Sequence, residues 1–278
     1  MNCKSKLVLF TDLDGTFLDR TDYSYTKSLP ALNSLLQQKI PVIFCSSKTR
    51  SEQEMYRQKL KIQDPFIVEN GGAIFIPRNY FPFDFKANST TDAYQVIEFG
   101  VPYAKVRKTI SQIRNETGIY FRGFGDMTDE EVSSLTGLDK ESSHLARERE
   151  YAETINLDIK DSDREIVLSS IKRSGLNYIF GGRFCDVMGS HDKGKAVKTL
   201  ANLFSKKLGA ITTAGIGDSL NDISMLFAVD MPYLVQKMDG NWEKMRIPNL
   251  IQVSGIGPEG WAEAVDELIG KISTSNEN

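Results

Sequence analysis

Leu7-Val8-Leu9-Phe10-Thr11-Asp12-Leu13-Asp14-Gly15-Thr16 is the stretch whose reading decides the fold. Residues 7–10 form a short unbroken apolar run, the pattern of a strand buried on both faces. Two carboxylates one residue apart follow directly, and a glycine comes next. In open α/β sheets ligands bind beyond the C-terminal ends of strands. Asp12 and Asp14 in that place suit a nucleophile and an acid/base. Asp-Gly is equally ordinary turn chemistry, so the segment taken alone admits both a turn and a site.

Downstream, the chain alternates apolar strands with helical spacing. Leu29, Leu32, Leu35 and Leu36 share one helical face, residues 41–45 read as a second strand, and Thr49 to Glu52 match a capping box. Residues 66–68 are a third strand, and Gly71-Gly72 predicts a tight turn into 73–76. The texture changes at 77–92, where Pro77, Pro82, Asn88, Ser89 and two threonines predict an exit from the first domain. Beyond it, 94–99 reads as a strand and 103–117 as a helix with Val106, Ile110 and Ile113 on one face. Ile166, Leu168, Ile171 and Leu176 predict another helix before a strand at 178–180. After about 187 the first rhythm returns: a helix at 196–204, a strand at 211–216, a helix at 222–227, strands at 233–235 and 250–253, and a last amphipathic helix through Ala262, Val265, Leu268 and Ile269. The fold expected is α/β: a Rossmann-like parallel-sheet core, residues 1–85 and 187–278, split by an inserted α/β cap, residues 86–186.

Three further signals accompany the first. Gly215-Ile216-Gly217-Asp218-Ser219-Leu220-Asn221-Asp222 follows a predicted strand and places Asp218 and Asp222 at its end, although Asn221 or Asp222 would also cap a helix well. Ser46-Ser47-Lys48 follows the second strand. Lys193 stands in Asp192-Lys193-Gly194-Lys195. A hydroxyl after a strand is commonly a cap, and a lysine is commonly solvated. Gly189 to Lys195 fits the spacing of a nucleotide P-loop, but Ala196 stands where that loop carries a magnesium-holding hydroxyl.

The order of these signals resembles the haloacid dehalogenase superfamily of phosphatases: Asp-x-Asp-Gly-Thr, then Ser, then Lys, then Gly-Asp-x-x-Asn-Asp. Within it, Cys45-Ser46-Ser47-Lys48-Thr49, Glu69-Asn70-Gly71-Gly72, Gly123 to Thr128, Leu135 to Leu138, Arg149-Glu150-Tyr151, Gly181-Gly182-Arg183-Phe184 and Gly257 to Trp261 resemble the mannosyl-3-phosphoglycerate phosphatase family. The resemblance implies Asp12 as nucleophile through an aspartyl-phosphate and Asp14 as acid and base. It implies Mg²⁺ held by Asp12, the Asp14 carbonyl and Asp218, with Asp222 supporting that shell or Lys193. Ser46 and Lys193 are expected on the phosphoryl oxygens. Ser47, Lys48, Thr49, Gly182 and Arg183 are expected on the substrate, a phosphorylated glycosyl-glycerate. Alternatives are another sugar-phosphate phosphatase or a phosphomutase of the same fold, or a non-catalytic binding module.

The totals are compatible. The chain has 278 residues, 40% hydrophobic and 26% charged, with a net charge of -3. No basic excess points to nucleic acid, and no basic helix or long apolar run points to a membrane. Cys3, Cys45 and Cys185 are too scattered for a disulfide framework or zinc site, which predicts a reduced, cytoplasmic setting. The two histidines, His144 and His191, give little support to a histidine–metal centre. Nothing in the sequence sets the oligomeric state.

Overall fold

The computed structural model describes residues 6–181 and 184–274. Its strands are β1 (Lys6–Thr11), β2 (Val42–Phe44), β3 (Phe66–Val68), β4 (Ala73–Pro77), β5 (Ser89–Thr90), β6 (Tyr94–Glu98), β7 (Arg122–Gly123), β8 (Ala152–Asn156), β9 (Asn177–Gly181), β10 (Phe184–Met188), β11 (Ile211–Gly217), β12 (Met231–Gln236) and β13 (Ile251–Ile256). Its α-helices are α1 (Leu29–Gln37), α2 (Arg50–Leu60), α3 (Tyr103–Thr117), α4 (Asp129–Thr136), α5 (Lys140–Arg147), α6 (Asp161–Arg173), α7 (Lys193–Leu208), α8 (Ile223–Leu226) and α9 (Pro258–Thr274).

The central sheet runs β13-β12-β11-β1-β2, parallel throughout. The apolar run of β1 splits by parity, as a strand buried on both faces must. Leu7 and Leu9 join Leu32, Tyr56, Trp261 and Val265 on the side of α1, α2 and α9. Val8 and Phe10 join Val197, Leu200, Phe204 and Leu226 on the side of α7 and α8. Trp261 is fully buried; its indole N–H donates to Thr11 Oγ1 at 2.8 Å, and its ring meets Phe17 edge-on at 4.9 Å. That bond satisfies the one polar atom of a large apolar group. Tyr80, Phe81, Phe83 and Phe85 pack around Phe204 on α7, so that aromatic cluster is core, not a ligand platform.

The composition break at 77–92 predicts a departure from the core at residue 86, and here the structure differs. The chain returns as β6, which pairs antiparallel with β4 from Ala73↔Glu98 to Pro77↔Tyr94. The sheet β3-β4-β6-β5 is joined to the central one through the bridge Cys45↔Ile67. The Pro- and Asn-rich stretch is a hairpin connection within one sheet, and the inserted layer begins only with α3. That layer is the antiparallel sheet β7-β8-β10-β9. α3 and α6 cover one side of it through Val106, Ile110, Val167 and Ile171. Ile166, expected on that face, is 46% exposed, and its neighbour Val167 takes the buried position. α4 and α5, which the sequence did not predict, carry a small cluster of Phe124, Val132, Leu138 and Ala146 against Phe184 and Tyr23. No helix among the described residues is long and apolar enough to cross a membrane.

Candidate active site

β1 and β11 are neighbours in the sheet, so their C-terminal ends bring Asp12 and Asp218 together. Asp12 is 3% exposed, Asp218 4% and Asp222 fully buried. Each presents an oxygen within 4.8 Å of the others. The helix after the cap supplies the counter-charge. Asp192 caps the start of α7 by accepting from Lys195 N, and Lys193 points inward as its first residue. Lys193 Nζ donates to Asp12 Oδ1 at 2.6 Å and to Asp222 Oδ1 at 2.7 Å. Burial and the Asp222 charge push Asp12 up to about 6, against the pull of Lys193. Burial and the charges of Asp222 and Asp12 push Asp218 up to about 8.

The remaining bonds sort the carboxylates by role. Asp222 Oδ2 accepts from Asp218 N and Ser219 N, so both its oxygens are occupied within the protein. These bonds hold Lys193 and the loop, and Asp222 also belongs to the carboxylate group close enough to share a metal ion. Asp218 Oδ1 accepts from Thr16 Oγ1 and Ser219 Oγ. The Asp14 backbone oxygen accepts from Arg20 Nη1 at 3.1 Å, and that nitrogen lies 4.0 Å from Asp218 Oδ2. Asp12, Asp218 and Asp222 are an all-oxygen set within 4.8 Å of one another, the donor chemistry of a small hard cation. One ammonium faces three buried carboxylates, an excess that a divalent cation bound among them would balance. Arg20 carried no motif signal; only a basic residue close behind the two aspartates hinted at it.

The Asp14 side chain turns the other way and stays 24% exposed to the cavity. Burial raises its carboxyl, opposed by Lys48, whose Nζ is 3.1 Å from Asp14 Oδ1 and 3.0 Å from Glu52 Oε1. Lys48 is thus engaged by two carboxylates while lining the cavity, which leaves one of its three N–H donors for another partner. Thr49 departs from expectation outright. It is fully buried, accepts from Glu52 N as the cap of α2, and donates to Leu145 O of α5 at 2.8 Å. Capping and cap-docking consume its hydroxyl, which leaves none for a ligand. Ser46 is fully buried with its Oγ accepting from Lys48 N at 3.3 Å, while Ser47 lines the cavity. Gly182 and Arg183 lie outside the described residues; Gly181 and Phe184 beside them line the cavity.

That cavity, about 620 Å³, runs from Asp12 and Asp14 into the cap. Its cap side includes Phe124, Arg149, Thr154 and Asp186. Asp186 Oδ1 accepts from Thr154 Oγ1 at 2.6 Å, and Oδ2 from Asn70 Nδ2 at 2.9 Å. Asn70 Oδ1 in turn accepts from Asn221 Nδ2 at 3.4 Å, which links the cap to the Asp222 loop. Glu69 is the joint: its carboxylate accepts backbone N–H bonds from Glu150, Tyr151 and Ala152 at 2.7–2.9 Å. Burial pushes its carboxyl up to about 7 despite those donors. Glu69 and Asn70 both have positive φ, 46° and 56°, backbone strain of the kind found where geometry is held for a purpose.

Adjacent parallel strands ending in acidic loops, a lysine set between them by the helix after an insertion, and a second layer over the cavity define a hydrolase of phosphotransferase type. The chain belongs to the haloacid dehalogenase-like hydrolases, matching that family over residues 9–241. It is 46% identical over 267 residues to the glucosyl-3-phosphoglycerate/mannosyl-3-phosphoglycerate phosphatase of Methanococcoides burtonii, covering 96% of this chain and 98% of that one. It is 40% identical over 228 residues to the mannosyl-3-phosphoglycerate phosphatase of Pyrococcus furiosus, covering 82% and 90%. Among solved structures it is similar in fold to Thermoplasma acidophilum 0175, with a TM-score of 0.67 and 18% identity over 97% of this chain and 99% of that one. The sucrose-phosphatase of Synechocystis sp. PCC6803 shares the fold at a TM-score of 0.61 and 12% identity, over 95% and 98%.

Proposed function

We propose that the protein is a magnesium-dependent phosphatase that converts mannosyl- or glucosyl-3-phosphoglycerate into the glycosylglycerate and inorganic phosphate. The chemistry rests on one observation above all: a buried lysine held between Asp12 and Asp222, at the ends of two adjacent strands. The substrate rests on the similarity to relatives bearing that activity over nearly the whole chain.

A phosphomonoester dianion repels a carboxylate nucleophile, so charge must be offset before attack. Bound Mg²⁺, held by Asp12, the Asp14 carbonyl and Asp218, would supply charge neutralisation at the phosphoryl oxygens. Lys193 contributes the fixed part of that neutralisation and shields Asp12. Ser46 turns its hydroxyl to a phosphoryl oxygen. Asp12 attacks phosphorus in line, the ester P–O bond breaks, and Asp14 gives its proton to the departing alkoxide. Burial favours the acid form of Asp14, which this step needs. In the second half Asp14 takes a proton from water, whose oxygen attacks the aspartyl-phosphate and frees Asp12. The cap excludes bulk water meanwhile.

The test is phosphate release from purified protein with each glycosyl-3-phosphoglycerate, in MgCl₂ and in chelator. Release with at least one substrate, abolished by chelation, is expected. Turnover of p-nitrophenyl phosphate alone would reject the substrate.

A further inference from the structure

The charges lining the cavity are matched unevenly. On the core side the two lysines each hold two carboxylates, Lys193 with Asp12 and Asp222 and Lys48 with Asp14 and Glu52, while Arg20 donates to the Asp14 carbonyl and lies 4.0 Å from Asp218. On the cap side stands Arg149, whose side chain is only 6% exposed. Its nearest carboxylate oxygen is Asp186 Oδ1 at 3.8 Å, beyond hydrogen-bonding range, and both Asp186 oxygens already accept from Thr154 and Asn70. The hydrogen bonds Arg149 makes are long and go to neutral groups: Nη1 to Ser47 O and Nε to Ala146 O, each 3.3 Å. Among the described residues its Nη2 has no hydrogen-bond acceptor. Asp186 at 3.8 Å and the charges of Glu69, Glu52 and Glu153 keep Arg149 ionised, but no carboxylate accepts a hydrogen bond from it, so this cavity-lining guanidinium is left to pair with a closer anion.

Two features say which anion that is. Arg149 reaches the carbonyl of Ser47, the residue after Ser46, so its guanidinium lies next to the loop that receives the phosphoryl group. Its position is also fixed on the chain side. Arg149 N donates to Arg147 O, and the three residues after it give their N–H groups to Glu69. A held guanidinium beside the phosphoryl loop fits a second anion joined to the phosphate by a short carbon link. In a 3-phosphoglycerate that anion is the carboxylate.

We infer that Arg149 is the specificity-determining residue that binds the glycerate carboxylate. The substrate class comes from the proposed function; the carboxylate preference is testable without it. The probes are 3-phosphoglycerate and glycerol 3-phosphate, which differ in the carboxylate, used as competitive inhibitors of p-nitrophenyl phosphate hydrolysis. The wild-type protein is expected to bind 3-phosphoglycerate about ten- to a hundredfold more tightly, the range of a charge-assisted hydrogen bond. Arg149→Ala should bring that ratio close to one, and Arg149→Lys should keep part of it because the charge remains without the fork. A merely structural Arg149 would weaken both inhibitors equally and leave the ratio intact, which would overturn the inference. So would a wild-type ratio near one. Should the protein hydrolyse no glycosyl-3-phosphoglycerate yet show the Arg149-dependent ratio, the proposed substrate fails and the carboxylate site stands.

Discussion

The two halves of the cavity are built on opposite principles. The core half is a set of strand ends in which each charged group is bonded to another within a few ångströms, so its geometry is fixed before any ligand arrives. The cap half is assembled from the strands β8, β9 and β10, two short polar helices and one arginine with no carboxylate inside hydrogen-bonding range. Chemistry common to all phosphomonoesters needs the first kind of site, because a transition state is stabilised best by groups that need not move. Recognition of one substrate needs the second, because discrimination comes from groups satisfied only by the right ligand.

If this division is correct, damage to the core half is indiscriminate. Asp12→Asn should lower kcat about a thousandfold or more on every phosphomonoester, since an amide cannot form the aspartyl-phosphate. The fold should survive, because the substitution also removes one of the repelling carboxylates; phosphate release and thermal unfolding measured together check both. Retained turnover in a well-folded variant would displace Asp12 as nucleophile. Lys193→Met is expected to destabilise the metal-free protein by about 3–5 kcal/mol by leaving Asp12 and Asp222 buried without their cation. Denaturant titrations with and without MgCl₂ are the measurement. Added metal should recover part of the loss, and a loss that metal cannot touch would mean the carboxylates do not share one cation site.

At the joint between the halves the expected effect is smaller and depends on pH. Glu69 titrates near 7 folded and near 4.5 unfolded, so it binds a proton more readily when folded. Its contribution is complete below about 4.5 and is lost as pH rises through about 7. The melting temperature of the wild type minus that of Glu69→Gln should therefore fall between pH 4.5 and 7. A difference that widens with pH would show that the three backbone N–H bonds outweigh burial and hold the carboxylate ionised.

Much of the core was legible in the sequence because local and global demands coincide there. A four-residue apolar run followed at once by turn chemistry fits a doubly covered strand, and the strand 66–68 matched at both ends for a similar reason; in the inserted layer the helix 103–117 matched because its apolar face is strongly periodic. The site residues of the core also sit next to the glycines and strand ends that give them away. The cap was harder. α4 and α5 bury so few apolar side chains, Val132 and Ala146, that no periodicity stands out. The edge of the insertion was misplaced because a hairpin loop and an interdomain linker share the same Pro, Asn and Ser chemistry. Arg149 stood in the sequence only as part of the family-like run Arg149-Glu150-Tyr151, with no role attached, since its burial is set by residues distant in the chain and by no local pattern. Thr49 carried two readings in the sequence, a helix cap and a substrate contact, and its hydroxyl is engaged by the cap of α2 and by Leu145 O.

Gly71 carries a consequence of its own. At its φ of +92°, a Cβ would lie 2.2 Å from Asp192 O and 2.8 Å from Lys193 N. The turn that begins the cap hinge is thus in van der Waals register with the backbone of the lysine between the aspartates. No side chain can be inserted there to lengthen the gap, so the spacing between hinge and lysine is closed to adjustment by single substitutions. A lineage or a designer seeking a bulkier glycosyl group must enlarge the roof, through positions such as Phe124, Thr136 or Leu138, and leave the hinge as it is.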